Sequence, residues 1–217
     1  MSSAAEPRIA KVSRTRNAAR ATAGQPLEEL RRRAGGCRDC DLWKDATQTV
    51  FGEGPASASL MLVGEQPGDR EDREGRPFVG PAGALLERAL EQAGVAREQA
   101  YVTNVVKHFK YRARGKRRIH QRPDAEEIAI CRQWLDAELD AVRPAVLVCL
   151  GLTAAHALLG SGLKIGRDCG RLIDSELAPA VFLTAHPSSV LRERDAAARH
   201  AALAALVSDL RVARAAC

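Results

Sequence analysis

Leu60-Met61-Leu62-Val63-Gly64-Glu65-Gln66-Pro67-Gly68 decides the architecture. Four aliphatic residues in succession, ending on a Gly/Pro turn, read as a strand buried on both faces, because a strand with one wet face would alternate. Residues 101–106, 145–150 and 181–184 have the same character. Helical patterns lie between them: residues 26–34, 83–93 closed by Gly94, 124–142 bounded by Pro123 and Pro144, 153–159 closed by Gly160, and an Ala/Leu-rich stretch over 192–214. Strands alternating with helices predict a three-layer α/β/α sandwich around a mainly parallel, four-stranded sheet. Ligands in such sheets bind beyond the carboxyl ends of the strands. The segments expected there are 64–68, 107–110 with a basic stretch behind it, and 185–189, so a carboxylate, the Asn104 amide, histidines and many cations converge on one rim.

The chain has 217 residues, 46% hydrophobic and 28% charged, which excludes disorder throughout and suits a single domain over 26–217 behind an unstructured basic arm over 1–25. No run of 18 apolar residues and no secretory leader is readable, so a soluble, cytoplasmic, nucleoid-associated protein without a membrane partner is expected. A phosphate-binding GxxxxGK[ST] loop is also missing, which disfavours a nucleoside triphosphatase. The net charge of +6 is unevenly spread. Residues 1–33 carry +5 and residues 107–122 carry +8, leaving −7 for the rest. An acidic body with one intensely basic segment fits a polyanion approached from one side, nucleic acid above all, although a solvated loop would have the same composition.

Six cysteines are too few for a disulfide scaffold in a chain of 217 residues. Cys37 and Cys40 have the C-x2-C spacing by which one turn presents two thiolates to a metal. Cys131 lies about 11 helical residues, roughly 17 Å, before the turn at Pro144. Cys149 lies about five strand residues, roughly 16 Å, after it. The two distances cancel, so the second pair is expected to close a four-thiolate site that suits zinc or an iron-sulfur cluster equally.

The ordered set of the early CxxC, Gly64–Gly68, Arg76-Pro77-Phe78-Val79-Gly80, Asn104-Val105-Val106-Lys107, Cys131 ahead of Arg143-Pro144, Cys149-Leu150-Gly151 and His186-Pro187-Ser188 resembles the iron-sulfur uracil-DNA glycosylases. Gln66, where family 4 members usually carry Ala, and the inserted Lys116-Arg117-Arg118-Ile119-His120 resemble the UdgX group within that superfamily. The resemblance implies a [4Fe-4S] cluster on Cys37, Cys40, Cys131 and Cys149, with zinc the lesser alternative. It further implies excision of uracil from DNA and covalent attachment of the enzyme through His120, and it leans towards a monomer.

The residue types fit that chemistry. A flipped base is read at its pairing edge and stacked on its face. Asn104 offers one donor and one acceptor to uracil, or else caps a turn; Phe78 is the expected stacking platform, or else core. His186 is expected to donate to the developing uracil oxyanion, helped by backbone N–H groups from the turn that Gly64, Pro67 and Gly68 shape. His120 supplies the nucleophilic lone pair at C1′ of the sugar, and Glu65 is expected to accept a hydrogen bond from the other ring nitrogen. Lys116, Arg117 and Arg118, with Ser188 and Ser189, are expected on phosphate, and Leu191 as a wedge in the base stack. Gln66 either narrows the pocket or bonds the basic loop. Two other readings compete: a multiple-turnover glycosylase in which His120 only binds DNA, and a non-catalytic iron-sulfur or zinc protein that binds single strands through residues 107–122. The expected partner is uracil-containing DNA, single-stranded and in principle double-stranded.

Overall fold

A computed structural model describes residues 25–217. All of the arm expected over 1–25 except Gln25 lies outside the described residues. The first element is helix α1 (Leu27–Ala34), which buries Leu27, Leu30 and Ala34. The central sheet contains β1 (Leu60–Gly64), β2 (Ala100–Asn104), β5 (Val146–Leu150), β6 (Leu172–Ile173) and β7 (Ala180–Thr184) in the order β2-β1-β5-β7-β6. The four expected strands are present and mutually parallel. The sheet has a fifth member that the sequence reading lacked: the two-residue edge strand β6, antiparallel to β7.

Successive residues of a strand face opposite sides, and here both sides are apolar. Met61, Val63, Leu147, Cys149, Val181 and Leu183 join one core with α1, α4 (Ala125–Val142) and α5 (Leu152–Leu159). Leu60, Leu62, Val146, Val148 and Phe182 join the other with α3 (Pro81–Ala93) and α8 (Ala196–Arg214). The three layers follow from that alternation of two buried faces. Helix α4 starts where the sequence marks it: Asp124 accepts from the Glu127 N–H at 2.9 Å, and Glu127 accepts from the Asp124 N–H at 2.8 Å.

Three elements depart from expectation. The last helix is two, α7 (Pro187–Arg192) and α8, because Asp195 caps a fresh start by accepting from Ala198 N–H at 2.7 Å. The turn after β1 leads into a short helix, α2 (Asp69–Glu74). The basic segment is an antiparallel hairpin, β3 (Tyr111–Arg114) with β4 (Arg117–His120), turning through Gly115 at φ 58°. A short helix α6 (Ile165–Asp168) completes the set. No helix of the described residues is long and apolar enough to cross a membrane.

Candidate active site

β1 is flanked by β2, to which it connects through α3 on one face, and by β5, reached through α4 on the other. The connection therefore reverses beside β1, and such a switch point opens a crevice at the strand ends. A cavity of about 840 Å³ lies there, lined by Glu65, Gln66, Phe78, Asn104, His120 and His186 among others. Six residues named from different parts of the sequence thus share one pocket, with Gly68, Ser188, Ser189 and Leu191 also on its wall.

The back of the pocket is built by close approach. Gly64 pairs with Asn104 across β1 and β2. A Cβ at Gly64 would stand 2.4 Å from Asn104 Oδ1 and 2.7 Å from the Phe78 ring, so only glycine lets carboxamide and ring meet there. Phe78 has φ 57°, a left-handed conformation that a bulky residue adopts only under constraint. Gly83 permits it, since a Cβ on that residue would fall 1.8 Å from the Phe78 carbonyl oxygen. Buried Glu71, which the sequence reading missed, fastens the two loops together by accepting from Gly68 N–H at 3.1 Å and Gly80 N–H at 2.8 Å. This narrows the expectation for the turn after β1: the Gly68 N–H is taken by Glu71 and is not free for an oxyanion. Asn104 is buried, and its Oδ1 has no hydrogen-bond partner among the described residues. A buried acceptor without a partner, on a residue that lines a pocket, is costly unless a ligand satisfies it.

His186 stands across from Phe78, ring centroids 6.2 Å apart. Its Nδ1 accepts from the Ser188 N–H at 3.1 Å and lies 2.8 Å from Ser188 Oγ, which itself accepts from Arg192. Nδ1 is therefore an acceptor, and the neutral ring carries its proton on Nε2. Burial, with Arg192 and His120 nearby, pushes the His186 pKa down to about 4. The unfolded chain thus binds a proton near pH 6.5 that the folded chain refuses until about pH 4. Stability is full above pH 6.5 and is expected to fall towards pH 4 by about 3 kcal/mol from this group. Burial also lowers His108 and His120, adding in the same direction. Calorimetry across that range checks it, with His186→Gln flattening the slope; an unchanged melting temperature from pH 7 to pH 4.5 would contradict it.

The hairpin carries His120 to the mouth of the pocket. Gln66 belts its two legs: Oε1 accepts from Lys110 N–H at 3.1 Å, while Nε2 donates to Lys110 O at 3.2 Å and Gln121 O at 2.8 Å. Of the two roles left open for Gln66, bonding the loop is the one observed. Its Nε2 also stands 2.8 Å from His120 Nε2, and Glu65 Oε1 is 3.5 Å from that same nitrogen. Glu65 therefore does not hold the opposite ring nitrogen as expected, and 3.5 Å is too long for a good hydrogen bond. Its other oxygen accepts from Thr153 Oγ1. Burial keeps His120 below the usual histidine range, hence neutral near pH 7.

Arg118 differs from its neighbours Lys116 and Arg117. Its guanidinium faces inward, bonded to Asp69, to Asp72 at 2.6 Å and to Thr47 Oγ1 at 3.2 Å, and it lies over the Phe109 and Tyr111 rings at 5.4 and 5.1 Å. These partners occupy the guanidinium that was expected on phosphate and make it the lock of the hairpin. Asp72 is fully buried, so Arg118→Ala leaves an unpaired buried carboxylate and is expected to destabilise the protein by about 3 to 5 kcal/mol. Urea unfolding measures this, and a loss under about 1 kcal/mol would contradict it. Ser189 Oγ donates to His186 O at 2.7 Å, and Leu191 is exposed at the pocket edge.

Cys37, Cys40 and Cys131 are near enough to interact electrostatically, and burial pushes the Cys131 thiol up to about 12. The Lys107 N–H donates to Cys131 Sγ at 3.2 Å. Cys149 sits in mid-sheet between Val63 and Leu183, and its charged neighbour is Arg132 rather than any of those thiols. His108 is a buried imidazole next in sequence to Lys107, and it interacts with Arg38, which stands between Cys37 and Cys40. Among the described residues, no three His, Cys, Asp and Glu side chains are gathered tightly enough to hold a metal ion. The donor chemistry of this pole, three thiols under backbone N–H groups, nonetheless suits a thiolate-bound metal group, while His108 Nε2 lies 2.9 Å from Thr49 Oγ1.

Fold and site together define a doubly wound α/β domain whose switch-point pocket combines a carboxamide, an aromatic ring, a carboxylate and two neutral imidazoles. Residues 51–211 match the Uracil DNA glycosylase superfamily, and the chain belongs to that superfamily. It is 37% identical over 169 residues to a Type-4 uracil-DNA glycosylase of Thermotoga maritima, covering 77% of this chain and 84% of the relative. It is 41% identical over 176 residues to the Type-4 uracil-DNA glycosylase of Sulfurisphaera tokodaii, covering 76% of each. A Type-4 enzyme of Archaeoglobus fulgidus is 37% identical over 174 residues, 77% of this chain and 84% of the relative.

Proposed function

We propose that this protein is a uracil-DNA glycosylase of the UdgX kind, which excises uracil and stays bonded to the sugar through His120. The observation that carries the reading is the placement of a neutral His120 beside Glu65 at the mouth of a pocket whose floor is the open Asn104 carboxamide. Uracil stacks on Phe78 and meets the Asn104 carboxamide with its edge. His186 Nε2–H donates to the oxygen at C2 as the C1′–N1 bond breaks and its electron pair leaves with the base. Glu65 opposes the positive charge that grows on the sugar. The lone pair of His120 Nε2 then forms the C1′–N bond, the ring keeping its proton on Nδ1 and becoming a cation, and the uracil anion takes a proton from water. An N-alkylated imidazole is a poor leaving group, so one molecule of enzyme is consumed per uracil.

The outer face of the hairpin supports a DNA substrate. Arg112 stands opposite Ile119 and Arg114 opposite Arg117, all exposed, with Lys116 on the turn. Like charges directly opposite destabilise a hairpin, and a phosphate backbone lying across them would relieve this. We assign the thiol pole to a [4Fe-4S] cluster held by Cys37, Cys40 and Cys131, with His108 rather than Cys149 as fourth ligand. Bound there, the cluster would supply a rigid cross-link between the N-terminal segment and α4. His108→Ala is then expected to lose iron and broad visible absorption, and Cys149→Ser to keep them; the reverse would restore the four-thiol set, and stoichiometric zinc would refute the cluster.

The function is tested by mixing the protein with a uracil-containing single strand, with thymine as control, then measuring released uracil and the band that survives hot detergent. Uracil release equal to the enzyme present, with a matching shifted band, supports the proposal. Release in large excess without a band favours a conventional multiple-turnover glycosylase, and neither signal favours a binding protein.

A further inference from the structure

Lys107 is used by none of this chemistry, yet it is almost wholly buried, and lysine is rarely buried unless paired. Its Nζ donates to Glu138 Oε2 at 2.6 Å, Thr103 Oγ1 at 2.7 Å and the Asn104 carbonyl oxygen at 2.6 Å, which employs all three ammonium hydrogens. Glu138 is equally buried, and its Oε1 accepts from Gly52 N–H at 2.8 Å, Tyr101 OH at 3.0 Å and Thr103 Oγ1 at 3.0 Å. The network is complete and lies directly behind the pocket floor.

A buried ion pair is seldom more stabilising than apolar residues of the same volume, so stability alone does not account for this one. Its geometry has a clearer consequence. Asn104 is the last residue of β2, where the chain leaves the sheet and bends. Among the described residues none bonds Asn104 Oδ1, so the carboxamide is aimed by its backbone and by the walls that Gly64 and Phe78 provide. The charge-assisted bond to the Asn104 carbonyl fixes the peptide plane from which that side chain projects. Lys107 is in turn held by α4 at two points, its ammonium on Glu138 and its N–H on Cys131 Sγ.

We propose that the buried Lys107–Glu138 pair is the positioning device for Asn104, setting the carboxamide at the height and angle at which it meets uracil. The proposal rests on the reading of Asn104 as the residue that recognises the base. Lys107 touches no substrate; it acts through the backbone of Asn104.

Lys107→Met alone strands the Glu138 charge and is expected to lower the melting temperature. The informative variant is therefore Lys107→Met with Glu138→Gln, which removes both charges and is expected to recover the melting temperature. Uracil release by this double variant at saturating DNA should fall on the order of 100-fold, as for a misplaced recognition group. The concentration of free uracil that half-inhibits release should rise about tenfold, with affinity for a uracil-free strand unchanged. A double variant that melts like the wild type and keeps its rate and uracil inhibition would overturn the proposal and leave the pair a structural one. Should the double variant not fold, Glu138→Gln alone, which takes from the Lys107 ammonium its charged anchor on α4, is expected to raise the half-inhibiting uracil concentration in the same direction by a smaller factor; a folded Glu138→Gln protein with unchanged rate and uracil inhibition would overturn it as well. If the wild-type protein itself releases no uracil, it is the reading of the site that fails.

Discussion

Replacing His120 with alanine is expected to abolish the detergent-resistant protein-DNA species completely, while uracil release continues. The reason lies in the division of labour around the pocket. In the proposed mechanism bond breaking draws on His186, Asn104, Phe78 and Glu65, which lie on the sheet rim or the loops packed against it, whereas capture draws on a lone pair delivered by a separate hairpin. Without the imidazole, water is expected to reach the same sugar cation and the enzyme to turn over. Denaturing electrophoresis with counting of released uracil measures both effects; an adduct of undiminished yield would move the attachment to another residue.

The second large effect is expected at His186. Its Nδ1 is committed to Ser188 and its pKa is held near 4, so it meets the base as a neutral Nε2–H donor over the whole physiological range. A single preorganised donor to a developing oxyanion is commonly worth about 10²- to 10³-fold in rate. His186→Ala should therefore slow uracil release by about that factor at saturating DNA and slow adduct formation equally, since capture follows bond breaking. Affinity for a uracil-free strand should not change. A loss below about tenfold, or one confined to DNA affinity, would place the oxyanion donor elsewhere.

Much of this was legible in the residues, for identifiable reasons. The four parallel strands are runs rich in aliphatic and β-branched residues that do not alternate with polar ones, the mark of double burial, and their ends locate the rim without any side-chain detail. The two-residue edge strand Leu172–Ile173 is too short for any period to appear. The hairpin was hidden by its composition: its four outward positions are three arginines and an exposed isoleucine, so the alternation that marks a strand is not one of apolar against polar. Once residues 117–120 are taken as a strand, the period of two separates Arg118 and His120 on the inner face from Arg117 and Ile119 on the outer, which is why one arginine of the run locks the loop and its neighbour faces solvent. Glu71, Asp72 and Glu138 were missed because a carboxylate on a helix looks solvated until its partners from distant segments are placed. The pairing of Cys149 with Cys131 was drawn from distances along the chain that cancel, but cancellation fixes height only; helix and sheet layers remain roughly 10 Å apart.

The central claim, that the protein excises uracil and is captured on His120, is tested most directly by digesting the adduct formed with a uracil-containing single strand and locating the modified residue by peptide mass spectrometry. The account expects a single deoxyribose-bearing peptide, fragmenting with the added mass on His120. A sugar found on any other side chain, or unmodified peptides from protein that has released many uracils per molecule, would contradict it.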